Sequence, residues 1–167
     1  MSRFVHIVNT ISLWLGRIVS PLLGISMLII IVEIIMRGLF GRSQIWAFEL
    51  AVFLACGVYA VGGVYALHRN AHVKLDLLVN TISERKQAIL NVFTWPLVFL
   101  FTGMLVWKGF GPALESFMIR ETTATGWDPP LWPVRWLVPI GGFFMLLQAI
   151  AMFIEDLYLV VKQRRLE

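Results

Sequence analysis

Four apolar stretches, each long enough to cross a lipid bilayer, constrain this chain more than any other feature of its sequence. They run over residues 11–36, 45–67, 88–107 and 136–160, and at 1.5 Å per residue each would span the roughly 30 Å hydrocarbon core as a helix. The chain is 59% hydrophobic over 167 residues, with a mean hydropathy of +0.80. A soluble domain of this size could not bury so much apolar surface. The sequence therefore predicts an all-α integral membrane protein with four transmembrane helices.

The basic residues lie mostly at the ends of these stretches, as they do in membrane proteins. We therefore interpret the net charge of +4 as a topology signal, and the partner it implies is the lipid bilayer rather than nucleic acid. A cytoplasmic N-terminus places eight basic residues inside and five outside, which predicts cytoplasmic termini and a retained signal-anchor helix at the start. The eight are Arg3, Arg69, Lys74, Arg85, Lys86, Lys162, Arg164 and Arg165, and the five are Arg37, Arg42, Lys108, Arg120 and Arg135.

The polar connection between the second and third stretches has the periodicity of an amphipathic helix over residues 72–84. Its apolar positions follow the i, i+3, i+4, i+7 pattern, whereas His72 and Asp76 lie four residues apart on another face. We expect this helix to lie in the cytoplasmic interface of the membrane. The apolar positions are Leu75, Leu78, Val79 and Ile82.

Signals for catalysis or metal binding are few. The sequence contains no H-E-x-x-H, G-x-S-x-G or Walker-type glycine motif, and its single cysteine, Cys56, can form neither an intrachain disulfide nor a cysteine-based metal site. His68 and His72 could share one helix face, so a haem-binding membrane anchor of a redox enzyme is one alternative. The favoured interpretation is that the chain is not an enzyme and holds no cofactor or metal.

Two carboxylates inside apolar runs raise the sharpest question. Glu33 and Glu49 each lie eight residues from Gly41, so a helical hairpin would bring both to a similar depth near its outer end. Arg37 follows Glu33 by four residues and could be their shared counter-charge. We favour a structural charge cluster that fixes the outer ends of helices one and two. The alternative is a self-sufficient small ion-coupled transporter that uses both acids, because intramembrane ionisable groups are often functional.

Two motifs, taken in order along the four helices, resemble a known family. The first is R-x-x-x-G-x-S-x-x-W-x-x-E-L, from Arg37 to Leu50, and the second is H-V-x-x-D-L-L, from His72 to Leu78. W-x-P-P-L-W-P, from Trp127 to Pro133, is similar to a subgroup of the same family. This is the small membrane subunit, of the DctQ type, of tripartite ATP-independent periplasmic (TRAP) transporters. Many relatives have a polar residue or a second acid just before the position of Glu49, where this chain has Ala47 and Phe48.

The resemblance implies a sodium-coupled importer of an organic acid in the bacterial inner membrane. In such a system a periplasmic substrate-binding protein delivers substrate to a large, M-type permease subunit, which would also hold the sodium. The present chain would be the non-catalytic scaffold of that permease and would help to dock the binding protein. The outer loop, predicted over residues 108–135, would carry the docking charges, for which the candidates are Glu115, Arg120, Glu121 and Asp128.

Overall fold

The computed structural model describes residues 2–69 and 84–162, which form four long helices. They are α1 (Ser2–Phe40), α2 (Ile45–His68), α3 (Glu84–Met118) and α4 (Trp132–Lys162). All four are long and apolar enough to span a membrane, which confirms the predicted all-α membrane class. Nearly all of the predicted interfacial helix, with His72 and Asp76, lies outside the described residues, so that helix stays a prediction.

The helices extend beyond the apolar stretches that predicted them. α3 continues through Lys108 and Pro112, and α4 begins at Trp132. The connection between them, called the outer connection after its predicted side of the membrane, therefore covers residues 119–131 rather than the expected 108–135. A charged residue at the membrane edge ends an apolar run but not a helix, because helical backbone groups remain paired in either solvent. Hydropathy therefore marks where a helix crosses the membrane and not where the helix ends.

α4 is the central element of the bundle. It packs against α1, α2 and α3, while α1 and α2 form an antiparallel hairpin. Adjacent glycines allow close approach on two sides of α4, because a Cβ on Gly141 would clash with the backbone of Ala60 and one on Gly142 would press on Leu105. Small residues let membrane helices pack closely where the hydrophobic effect between helices is weak.

Most of the large apolar side chains point outward. Along α1, for example, Leu28, Ile31 and Ile35 are about half exposed or more, as suits a surface solvated by lipid tails. Many of the buried residues are small or polar, among them Ala113, Ala149, Ser12 and Gln148, and a smaller apolar cluster forms around Leu67 and Trp95. The interior of the bundle therefore combines close backbone approach, polar contacts and local apolar packing, and the outer surface is apolar.

Candidate functional site

The turn between α1 and α2 is built around a left-handed glycine. Gly41 has φ +62°, and its N–H donates to the carbonyl of Arg37 at 3.1 Å, which closes α1. A residue with a side chain is strained in this conformation, so glycine is the natural helix terminator here. The chain reverses over residues 41–44 and brings the outer ends of α1 and α2 together.

The side chain of Glu33, on α1, caps the N-terminus of α2. It is buried, and its two carboxylate oxygens accept hydrogen bonds from the Ser43 hydroxyl at 2.8 Å and from the backbone N–H of Gln44 at 2.9 Å. Gln44 is the residue that precedes α2, where backbone N–H groups lack partners within the helix and the helix dipole favours a negative charge. Glu33 therefore acts as a helix cap supplied from eleven residues earlier in the chain.

Arg37 does not form the expected ion pair with the two acids. Among the described residues, no carboxylate oxygen lies within 4.0 Å of its guanidinium, whereas Arg135 and Glu121 do form a salt bridge. Glu49 instead accepts a hydrogen bond from the Thr123 hydroxyl at 3.3 Å, which links α2 to the outer connection. The three residues do line one groove, of roughly 460 Å³, so the structure brings them together as neighbours and not as an ion-paired cluster.

The outer connection is a folded segment held by its own hydrogen bonds. Thr122 and Pro130 form an antiparallel bridge, and the N–H of Leu131 donates to the carbonyl of Glu121 at 2.8 Å. The side chain of Asp128 accepts the N–H of Ala124 at 2.9 Å. This segment has a fixed shape, so the charges that it carries have defined positions at the outer end of the bundle.

The four candidate docking charges divide into two pairs. Glu121 forms a salt bridge of 2.6 Å with Arg135 at the start of α4, and Asp128 closes the turn of the connection. Glu115 and Arg120 are exposed, and within residues 2–69 and 84–162 their side chains have no hydrogen-bond or ion-pair partner. Only the second pair is free to meet another molecule without breaking a contact within the chain.

A buried polar network at the opposite end of the bundle joins α1, α2 and α4. Gln148, which is fully buried, accepts from the Ser12 hydroxyl at 2.6 Å and donates to Oδ1 of Asn9 at 2.9 Å. Its amide nitrogen also lies 3.3 Å from Nδ1 of His68, and Asn9 donates to Glu155 at 3.3 Å. Such bonds hold membrane helices in register.

The sequence identified only part of this network. His68 was singled out from the sequence as one of a histidine pair. Asn9 and Ser12 were not predicted, although their spacing of three residues places them on one face of a helix. Among the described residues, no group of three or more His, Cys, Asp or Glu side chains could hold a metal ion.

Comparison with known proteins places these features in a family. The chain matches the family described as "Tripartite ATP-independent periplasmic transporters, DctQ component" over residues 26–158. It is similar to the C4-dicarboxylate TRAP transporter small permease protein DctQ of Rhodobacter capsulatus, with 26% identity over 63% of this chain and 46% of that protein. The corresponding protein of Vibrio cholerae serotype O1 is 29% identical over 63% of this chain and 47% of its own length.

A third relative is a longer protein. The sialic acid TRAP transporter permease protein SiaT of Haemophilus influenzae is 32% identical over 56% of this chain, and the match covers 15% of SiaT. The chain therefore covers less than half the length of each of these relatives. The family match nevertheless includes most of the chain, from the middle of α1 through the capped hairpin and the outer connection to α4. The chain belongs to the DctQ component family of the tripartite ATP-independent periplasmic transporters.

Proposed function

We propose that this chain is the small subunit of a sodium-coupled importer in the bacterial inner membrane. In this role it acts as a scaffold for a large permease subunit and helps to dock a periplasmic substrate-binding protein. Both termini face the cytoplasm, and residues 119–131 face the periplasm. The proposed substrate is an organic acid, because the names of the relatives include C4-dicarboxylate and sialic acid.

The observation that carries the scaffold proposal is that two buried polar groups within the helices, Gln148 and Glu33, bind other parts of the same chain. Gln148 is held by Ser12 and Asn9. Glu33 is occupied by Ser43 and Gln44. Groups that coordinate a moving substrate or ion must be able to exchange partners, whereas groups that fix a frame need permanent ones. The arrangement therefore supports a fixed frame.

Reconstitution into liposomes tests this proposal. The chain alone, the candidate large permease alone and both together are compared for uptake of an organic acid under an inward sodium gradient with the binding protein present. We expect uptake only when both membrane proteins are present. Uptake by this chain alone would establish the self-sufficient transporter instead.

Variants of Glu33 and Glu49 distinguish a scaffold role from ion-coupled transport in the same assay. Glu33→Gln and Glu49→Gln are scored for the yield of assembled complex and for sodium-dependent uptake per complex. A scaffold role predicts that the Glu33 variant lowers yield while uptake per complex stays normal in both. Normal yield with lost sodium coupling would contradict it.

A further inference from the structure

The groove at the outer end of the hairpin carries charges that the fold leaves without close partners. It lies between α1 and α2 and is lined by both polar and apolar side chains. Glu33, at its floor, has both oxygens occupied. The charged groups that remain available among the lining residues are the guanidinium of Arg37 and one oxygen of Glu49.

Arg37 is exposed and has no carboxylate oxygen within 4.0 Å among the described residues, although it lies one helical turn after Glu33 and interacts electrostatically with it. Glu49 is half-buried, and only its Oε2 has a hydrogen-bond donor, the Thr123 hydroxyl at a long 3.3 Å. A cationic and an anionic group therefore line one cavity and each can accept an external partner.

Both charged groups lie near the ends of their helices. Arg37 lies three residues before the end of α1 and Glu49 four residues after the start of α2, which places them about 4.5 and 6 Å from the helix ends at 1.5 Å per residue. Arg37 directly follows the apolar stretch 11–36 and Glu49 lies near the start of the stretch 45–67, so we expect both near the polar interface of the membrane and at similar depth. A headgroup lying parallel to the membrane surface could reach both.

On the α1 side, the wall of the groove below Arg37 carries apolar side chains that face outward. Ile30 and Ile34 precede Arg37 on the same face of α1 at i, i+4, i+7 spacing, and Phe48, the residue before Glu49 on α2, lines the same groove. All three apolar side chains are exposed, Phe48 to 70%. They form a surface that suits an acyl chain running down from a headgroup bound at the top.

We propose that this groove is a binding site for a phospholipid with a primary ammonium headgroup, phosphatidylethanolamine. Arg37 donates to the phosphate, Glu49 accepts from the ammonium, and one acyl chain lies against Ile30, Ile34 and Phe48. The site is independent of the transport role proposed above, since it requires only the hairpin and the bilayer.

The pair of charges selects this lipid by its chemistry. A guanidinium binds phosphate through directed, charge-assisted hydrogen bonds, and a carboxylate does the same with an N–H ammonium. Phosphatidylcholine has a phosphate, but its quaternary ammonium has no N–H to donate to Glu49. Phosphatidylglycerol has no cation for Glu49, and its net negative charge is repelled by Glu33 and Glu49. Charge complementarity therefore favours the zwitterionic lipid with a primary amine.

Native mass spectrometry of the purified full-length chain tests the site. The protein is stripped of lipid and titrated with the three lipids, matched in their acyl chains. We expect phosphatidylethanolamine to bind about tenfold more tightly than either of the others, which corresponds to the loss of one charge-assisted hydrogen bond. Arg37→Gln and Glu49→Gln should each lower this affinity to the level of phosphatidylcholine.

Matched controls separate the groove from general surface charge. Arg42→Gln and Glu115→Gln remove one exposed charge of each sign outside the groove lining, and they should leave the preference intact. Ile34→Trp fills the apolar wall without altering charge and should weaken all three lipids. Since Arg37 has no close ionic partner and Ile34 is exposed, these variants should fold, which is checked by their helical circular dichroism.

Three results would overturn the proposal. One is equal binding of the three lipids by the wild-type chain. Another is preferential binding of phosphatidylglycerol that depends on Arg37 but not on Glu49, which would make the groove a simple anionic-lipid site. The third is unchanged lipid binding in both charge variants together with loss of a co-purifying large permease, which would make the groove a protein contact.

Discussion

The carboxylate of Glu33, two turns before the end of α1, accepts the backbone N–H of Gln44 at 2.9 Å, immediately before α2 begins. An acid inside an apolar helix is thus explained by a backbone donor that the second helix cannot satisfy itself. The Ser43 hydroxyl occupies its other oxygen at 2.8 Å. The buried charge therefore has directed donors that compensate for its removal from water.

We predict that Glu33→Ala lowers the free energy of unfolding by about 1 to 3 kcal/mol, because it leaves the partly buried N–H of Gln44 and the Ser43 hydroxyl without their acceptor. Ser43→Ala removes one donor only and should cost about 1 kcal/mol. Denaturant unfolding of the purified chain in detergent measures both. Arg37→Gln is the matched control and should change stability by less than about 0.5 kcal/mol. If the Arg37 variant is as unstable as the Glu33 variant, Arg37 is the counter-charge of the hairpin after all.

A second prediction concerns the polar network at the other end of the bundle. Gln148→Leu removes the acceptor of Ser12 and the donor to Asn9, and hydrogen bonds between membrane helices average about 0.6 kcal/mol each. We expect a loss of about 1 to 2 kcal/mol in the same unfolding assay. Ser12→Ala combined with Gln148→Leu should cost less than the sum of the single changes, because the two groups share one bond.

The control for the double-mutant cycle of Ser12 and Gln148 is Thr10→Val. Thr10 is exposed, and its hydroxyl donates to the carbonyl of His6 within α1, so its loss removes no contact between helices. Strict additivity of the Ser12 and Gln148 changes would show that the 2.6 Å contact contributes no stability.

The four helices could be predicted because each apolar run is bounded by charges and turns, and a membrane leaves its backbone no alternative to helix. The position of the hairpin turn was equally clear from Gly41. The hydrogen-bond partners of Glu33 could not be predicted, because the i, i+4 spacing indicated Arg37 within the same helix. The actual donors, Ser43 and Gln44, come from beyond the turn, and their approach depends on how the turn folds.

The outer connection was also beyond sequence reasoning. The sequence predicted a loop here, but the salt bridge between Glu121 and Arg135 and the turn closed by Asp128 depend on backbone geometry that no periodicity encodes. Arg120, Ala124 and Asp128 all adopt positive φ, which is uncommon for residues other than glycine. The four charged residues looked equivalent in the sequence, but in the structure Glu121 and Asp128 are bound within the chain and Glu115 and Arg120 are exposed.

A third prediction concerns orientation in the membrane. In a Cys56→Ser background, single cysteines replace Arg3 and Thr122, both of which are exposed. An impermeant maleimide added to intact cells should label the Thr122→Cys variant and not the Arg3→Cys variant, because the positive-charge bias favours a cytoplasmic N-terminus. Permeabilised cells, in which both should be labelled, provide the control. The reverse pattern in intact cells would mean that the topology is inverted.

The last prediction separates the exposed charges at the end of α3 and on the outer connection from the charge that is already paired. Glu115 and Arg120 are exposed and have no partner among the described side chains, so reversing either charge should leave the assembled complex intact. If they meet a binding protein, Glu115→Lys and Arg120→Glu should each raise the binding-protein concentration needed for half-maximal uptake by about threefold to tenfold. The effect should shrink as salt is added, because exposed charges are screened over about 10 Å at 0.1 M ionic strength.

Glu121 provides the matched comparison, since its carboxylate is already bound to Arg135 at 2.6 Å. Glu121→Arg should lower the yield of folded protein, because it sets two cations against each other at the start of α4. The double exchange Glu121→Arg with Arg135→Glu should restore part of that yield. If the Glu115 and Arg120 variants show the same uptake as the wild type at every binding-protein concentration, this surface is only solvated and does not contact the binding protein. A loss of uptake in those variants that persists at saturating binding protein would instead indicate damage to the transporter and not to docking.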